Sequence, residues 1–537
     1  MANESTFTSP LIAASEPSRA SSPNYNSTDR ASLDVNHDGA DGADLSTADH
    51  SNKTTPTQAF VTLLKGYIGP GCLSLPWAVS QLGLVGGTIS IGAMCYWSSH
   101  NCWTVVKIKR YIEKSQADSK SQAGSGDLDE KSEGASSQAS QAAMTYPDVG
   151  GWAFGDAFKD LVAAMICTQQ LAICTVFFSF IGENILAVAQ LVPDVPVILL
   201  SHSGVMTVAL PFILGLSYIP NVRKLAPVMV LGLILLFSGF GVLAYIVFAE
   251  WPYRPTEPLE IRWINLPLAV CAILYSYEGI CLVLPVESSM KDPRKFKKVF
   301  WLAMIASGIV FAAVATLCTR AFGDVTSGSI TAFLLGKFKD DETIMLFLML
   351  ANTFVSLSVL FTYPIQLFPT LELIGPNVQK LLRDHDNPAE DTLAENTEET
   401  DDGGIPGDSY FVRTGLVIVT YTIAMIVPNV QVLISLAGAV AGSSNALLIP
   451  PVLELALIDH LENKPDETAS TKSTPDPQQP ATQTSAFRHV LRCNFEGVYW
   501  KQKLESFILF WMGFIFMLIG SYASLADIVK IWLGNDE

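Results

Sequence analysis

The sequence predicts an all-α, polytopic membrane protein of about eleven transmembrane helices. They form a five-plus-five inverted repeat in which helices one and six are broken. Three observations carry this expectation. Of 537 residues, 49% are hydrophobic and only 16% charged, and the mean hydropathy is +0.34. Two apolar stretches, Thr57 to Gln81 and Ile264 to Pro285, can each cross a bilayer, yet Gly69-Pro70-Gly71 and Ser276-Tyr277-Glu278-Gly279 interrupt them midway. Lysine and arginine gather after alternate stretches, and with five spans in each half the two halves take opposite topologies.

Taken in order, residues 1–55 read as a disordered cytosolic tail, rich in Ser and Asp and without an apolar period. The tail carries sequons at Asn3, Asn26 and Asn52, expected to stay unmodified on that side, and lacks the apolar core of a cleavable signal. Residues 56–535 form the transmembrane domain, with polar linkers near 115–145, 380–410 and 460–487. Span two, Leu84 to Val106, is closed by Lys107, Lys109 and Arg110; span three, Leu161 to Leu191, carries Gln169, Gln170 and Glu183. Val205 to Ile219 and Leu225 to Phe248 are spans four and five, joined at Arg223-Lys224. Broken span six is followed by the most basic run in the chain, Lys291 to Lys298. Val299 to Cys318, Ile344 to Leu371, Gly415 to Val427, Val432 to Ala456 and Phe507 to Ile528 complete the set. With the N-terminus in the cytosol, the basic groups after spans two, four, six and ten all fall inside.

The net charge of −18 lies largely before Lys53 and between Asp384 and Asp408, and so describes tail and linker rather than the membrane domain. It leaves no basic footprint for nucleic acid. The nine cysteines are odd in number, sit mostly in apolar stretches and show no metal spacing, and the seven histidines are scattered. They read as packing residues. No cofactor, metal or nucleophile–base pair is expected, and the chain is not expected to be an enzyme.

A break at membrane depth strands backbone groups that protein, water or ligand must satisfy. After each break comes a similar phrase, Gly71-Cys72-Leu73-Ser74-Leu75-Pro76 and Gly279-Ile280-Cys281-Leu282-Val283-Leu284-Pro285. Two interrupted spans in corresponding places of two halves point to a transporter's central site. Half-helix N-termini offer free N–H groups and partial positive charge, and C-termini offer carbonyls. A free α-amino acid, with one charge of each sign, suits such a pair. The amides of Gly71 and Cys72 are expected to hold its carboxylate, and carbonyls around Tyr275 and Ser276 its ammonium, with Tyr277 also at the substrate site. Gly69 and Gly279 would permit close backbone approach, and Gln170, in the middle of span three, either faces the cavity or bonds another helix.

Three passages carry a family resemblance: LLKGYIGPGCLSLPWA, YEGICLVLPVESSMKDPRKF, and RTGLVIVTYTIAMIVPNVQVLISLAGAVAGSSNALLIPPVLE. They are similar to the proton-coupled amino acid transporters of the amino acid/auxin permease family, over nearly all of Thr57 to Ile528. The resemblance implies eleven helices, a five-plus-five inverted repeat, and movement of small neutral amino acids across a membrane. Two departures stand out. Pro70 lies where the family usually has Thr or Ala, and Thr62 lies where animal members carry a histidine linked to proton coupling.

With no histidine at Thr62, Glu278 is the candidate proton carrier. An ionisable residue inside a span costs about 2.5–3.5 kcal/mol on insertion scales and is a functional-site hypothesis by default. The alternative is that Glu278 hydrogen-bonds freed amides at the break. Lys65 either serves the site or snorkels toward the interface. Thr353 and Ser356 resemble a sodium position of sodium-driven relatives, and Tyr363-Pro364 reads as a kink. The expected partners are therefore small neutral amino acids, protons and the lipid bilayer, in a vacuolar, lysosomal or plasma membrane. Sodium coupling, or an amino acid sensor signalling through its tail, are the alternatives.

Overall fold

The computed structural model describes residues 54–123, 144–219, 222–250, 260–386, 409–427, 429–462 and 499–533. Nearly all of the expected tail, its sequons, Cys493 and much of the three linkers lie outside the described residues.

Each element begins and ends where local chemistry demands. Helix α1 (Pro56–Tyr67) opens on a capping box in which Thr55 and Gln58 satisfy each other's backbone, with Pro56 at its first position. It stops at Ile68, whose backbone is extended, because Gly69 precedes a proline and is pushed out of the helical region. Pro70 then starts α2 (Pro70–Leu82), where its missing N–H costs nothing, and Gly83 at φ 72° ends it. The chain continues as α3 (Leu84–Ala123), α4 (Tyr146–Phe154), α5 (Asp156–Ala189), α6 (His202–Ser217) and α7 (Val222–Ala249). The second interrupted stretch is α8 (Leu266–Ser276) and α9 (Ile280–Ser289). Then follow α10 (Phe296–Phe322), α11 (Ile330–Lys337), α12 (Glu342–Asp386), α13 (Ser409–Ile426), α14 (Val430–Ala437), α15 (Ile449–Glu462) and α16 (Trp500–Trp532). Three helices run into the expected linkers, ending at Ala123, Asp386 and Glu462.

The protein is all-helical and polytopic: among the described residues the sole β pairing is an isolated bridge between Thr54 and Met290. Seven helices among the described residues are long and apolar enough to cross a membrane, and His202–Ser217 and Tyr410–Ile426 are shorter apolar helices. The expectation of about eleven exceeds seven for local reasons. The first span is split into helices of 12 and 13 residues. Leu84–Ala123 interleaves its apolar residues with Ser, Thr, Asn and His before running into a charged end.

Two groups of helices make up the body. In one, α2 packs on α8, and α10 packs along α1, α2 and α3. In the other, α5 is central, flanked by α6, α12 and α13, with α7 laid along α12. The α14–α15 helix touches both and carries α16 on its outer side. Between α14 and α15, Gly438–Leu448 winds as a π-helix, so that Ile449 N–H reaches Ser444 O. Pro450 and Pro451 cannot donate to the carbonyls of Asn445 and Ala446. Those carbonyls instead accept from Tyr146 Oη at 3.2 Å and Asn101 Nδ2 at 2.5 Å.

Candidate functional site

The two interrupted helices lie antiparallel, break against break. At one end Thr54 N–H donates to Ser289 O at 2.7 Å and Lys291 N–H to Thr54 O at 3.0 Å. At the other, Arg262 N–H donates to Gln81 O at 2.9 Å and Asn265 Nδ2 to Gln81 Oε1 at 2.8 Å. Midway, a Cβ on Gly71 would lie 2.8 Å from Ser276 Oγ and 3.1 Å from Ser276 Cα, and one on Gly279 would lie 2.6 Å from the Tyr67 ring. Both sites need glycine because another helix occupies the space of a side chain. The start of α2 thus abuts the end of α8, and the start of α9 abuts the end of α1. Each pairing sets free N–H groups beside the carbonyl end of another half-helix.

A cavity of about 60 Å³ opens at these breaks, its walls including Gly69, Gly71, Gln170, Tyr275, Ser276, Glu278 and Gly279. Of the residues expected at the site, Cys72 and Tyr277 are not among its walls. Cys72 is fully buried and its amide already donates to Gly69 O at 3.1 Å, closing the first turn of α2. The Tyr277 ring turns away onto Phe311, centroids 5.0 Å apart, while its carbonyl accepts from Ser98 Oγ at 3.0 Å. Tyr275 O accepts from Glu278 N–H at 3.2 Å and from the Tyr277 N–H that caps α8. Gly71 N–H, one residue into α2, has no carbonyl to reach within that helix.

Glu278 is 7% exposed, and neither carboxyl oxygen has a hydrogen-bond partner among the described residues. The alternative in which it caps freed amides is absent from this structure. Tyr67, Cys102, Tyr146 and Cys281 lie within electrostatic range of the carboxyl. Gln170 does both things expected of it, lining the cavity and placing Nε2 3.3 Å from Cys281 Sγ while Oε1 stays unpartnered. Thr62 is exposed on α1 and is not part of the cavity wall.

Several cavity residues were not anticipated from the sequence. Ser358, Thr362 and Gln366 face it from α12, and Ile173, Phe177, Leu236 and Val359 supply an apolar wall. The spacing of four between the three polar residues defines one helix stripe, a signal the sequence does contain. Thr353 lies off that stripe, is exposed, and donates to Met349 O at 2.8 Å, whereas Ser356 is buried without a partner. Tyr363 bonds Thr420 Oγ1 at 2.7 Å and ties α12 to α13 within a continuous helix. Lys65 lines the cavity and donates to Met229 O at 2.6 Å rather than reaching for the interface.

Two crossed, broken helices around a small, mostly apolar cavity, inside an apolar bundle, define a polytopic membrane protein with an internal site. The chain belongs to the transmembrane amino acid transporter protein family, whose profile matches residues 52–473. This agrees with the resemblance carried by the three sequence passages and sets the chain in a transporter rather than an enzyme family. It is 25% identical over 421 residues to vacuolar amino acid transporter 4 of Saccharomyces cerevisiae, covering 75% of this chain and 53% of that one. It therefore spans about half the length of that relative. It is 23% identical over 495 residues to the proton-coupled amino acid transporter-like protein pathetic of Drosophila melanogaster, covering 91% of this chain and 88% of that one. Amino acid transporter AVT3B of Arabidopsis thaliana is 23% identical over 427 residues, covering 76% and 86%. Among solved structures, the Eremococcus coleocola manganese transporter overlays at a TM-score of 0.37 and 13% identity, over 93% of this chain and 91% of that one, too loosely to build on.

Proposed function

We propose that the chain is a secondary active transporter of small neutral amino acids, coupled to protons through Glu278. Its eleven spans form a five-plus-five inverted repeat with the substrate at the two breaks. The observation that carries this is the crossing of the half-helices at Gly71–Ser276 and Gly279–Tyr67, with an unbonded carboxyl beside it. A zwitterion answers both kinds of helix end at once. A cavity of about 60 Å³ has room for only a few water molecules, which favours glycine, alanine, serine or proline over larger substrates.

Proton rather than sodium coupling is supported by Glu278, which has no hydrogen-bond partner among the described residues, and by the exposed Thr353, which removes one of two sodium ligands. The name of the fly relative favours proton coupling, and that of the yeast relative a vacuolar membrane. The N-terminus is taken as cytosolic because Thr54 is hydrogen-bonded beside the basic run from Lys291.

The test is flux in proteoliposomes under imposed pH or sodium gradients, comparing the parent with Glu278→Gln, which keeps shape but cannot titrate. The expected result is that the variant still exchanges amino acid but no longer accumulates it on a pH gradient. Accumulation equal to the parent makes Glu278 structural. Sodium-driven uptake by the parent, or arginine outcompeting alanine, overturns the reading itself.

A further inference from the structure

Helices α1 and α9 behave as a pair. Gly66 lies directly against Leu282, Gly279 against Tyr67, and Thr54 bridges to Ser289 and Lys291. Helix α1 also packs on α10, and α9 on α3. Between α1 and α2 the chain has only Ile68 and Gly69, both extended, with no helical bond carried across. Such a joint can pivot without breaking the ladder on either side.

Across the cavity from this pair stands α7. Among the described residues, one side-chain hydrogen bond joins α1 to α7, from Lys65 Nζ to Met229 O at 2.6 Å. Lys65 has no carboxylate within 4 Å among the described residues. Its ammonium therefore leans on the second lone pair of a helical carbonyl, a charge-assisted bond in low dielectric. The place of this bond matters. Lys65 lies a turn before the break, on the side toward Thr54 and the basic run, as do Leu282 on α9 and Gln366 on α12. The bond thus spans the cavity between the breaks and the basic face. On the opposite side of the breaks, Gln81, Arg262, Asn265 and Asp324 close over the helix ends.

We propose that Lys65 is a positioning residue that clasps α1 to α7 across the basic-face mouth of the cavity, so that opening toward that face requires the Lys65–Met229 bond to break. The proposal rests on the cavity being the transport site, but its test does not need flux. Cys281 lines the cavity, half-buried, and serves as a native reporter, whereas Cys95, on α3, lies outside it. The purified full chain in detergent is treated with a small thiol reagent, and labelling of each cysteine is followed by peptide mass spectrometry.

Lys65→Met should raise the labelling rate of Cys281 about tenfold, as loss of a charge-assisted bond implies, and leave Cys95 unchanged. Lys65→Arg, which keeps a charged donor, should restore the parental rate. Lys65→Gln, neutral but able to donate, should fall between and serves if the methionine variant does not fold. An unchanged Cys281 rate in a folded Met or Gln variant overturns the proposal, as does Lys65→Arg behaving like Lys65→Met. Absence of amino acid flux from the parent would instead defeat the transport reading, leaving the labelling result to stand.

Discussion

At the scale of single residues, the site depends on atoms that are missing. Gly71 and Gly279 admit a neighbouring helix into the space a Cβ would fill, and the neighbours are the backbone of Ser276 and the ring of Tyr67. The two are not equally forgiving. A tyrosine ring can tilt, but Ser276 Cα, 3.1 Å from the imagined Cβ, cannot yield without moving α8. Gly71→Ala should therefore wedge the half-helices apart, at the cost of about 1–3 kcal/mol expected of overpacking. Substrate binding, read by thermal-shift titration with alanine, should disappear while expression and membrane insertion stay normal. Binding at parental affinity would show that the crossing is not the site.

At the scale of elements, the π-helix from Gly438 to Leu448 shows how sequence, local geometry and packing connect. Pro450-Pro451 leaves two carbonyls without helical donors, and the wide turn presents them to Tyr146 and Asn101. Asn101 is 1% exposed, so its loss strands Ala446 O in a dry interior. Asn101→Ala should destabilise the protein by about 1–3 kcal/mol, seen as a lower thermal midpoint in detergent. A midpoint equal to the parent would mean that another donor reaches Ala446 O. Helix α4 is anchored independently: burial pushes the Asp148 carboxyl up, but hydrogen bonds from Lys159 and Thr145 outweigh it and hold the group below the usual carboxylate range.

At the scale of the whole molecule, polar ties close the two faces of the membrane body. On the basic face Glu287 accepts from Arg110 at 2.6 Å and Lys109 at 3.3 Å, joining α3 to α9, while Glu454 pairs with Lys107 at 3.3 Å. Lys109 and Glu287 are 4% and 3% exposed. Without Glu287, the only carboxylate left to Lys109 among the described residues is the exposed Glu113, at 3.6 Å; breaking a buried pair costs about 3–5 kcal/mol, whereas replacing both partners with apolar groups is often neutral. Glu287→Ala should lower the thermal midpoint sharply, and adding Lys109→Met should recover much of the loss. If the double variant is no better than the single, the pair is not the stabilising unit.

The sequence by itself determined the class. Long apolar stretches demand a bilayer, and Gly-Pro-Gly and Ser-Tyr-Glu-Gly within them demand broken helices, because each is a local or compositional constraint on the backbone. It also placed Gly69, Gly71, Gln170, Tyr275, Ser276, Glu278 and Gly279 at the cavity, since all but Gln170 lie at or beside the breaks. Only the tertiary structure decided which way side chains turn once the chain is broken. It closed Cys72 N–H on Gly69, sent Tyr277 to Phe311, carried Lys65 across to Met229, and chose the Ser358–Thr362–Gln366 stripe over Thr353. The Lys65 bond depends on how α1 is rotated against a partner 164 residues away, and local sequence carries the spacing of a stripe but not which face of the helix meets the cavity.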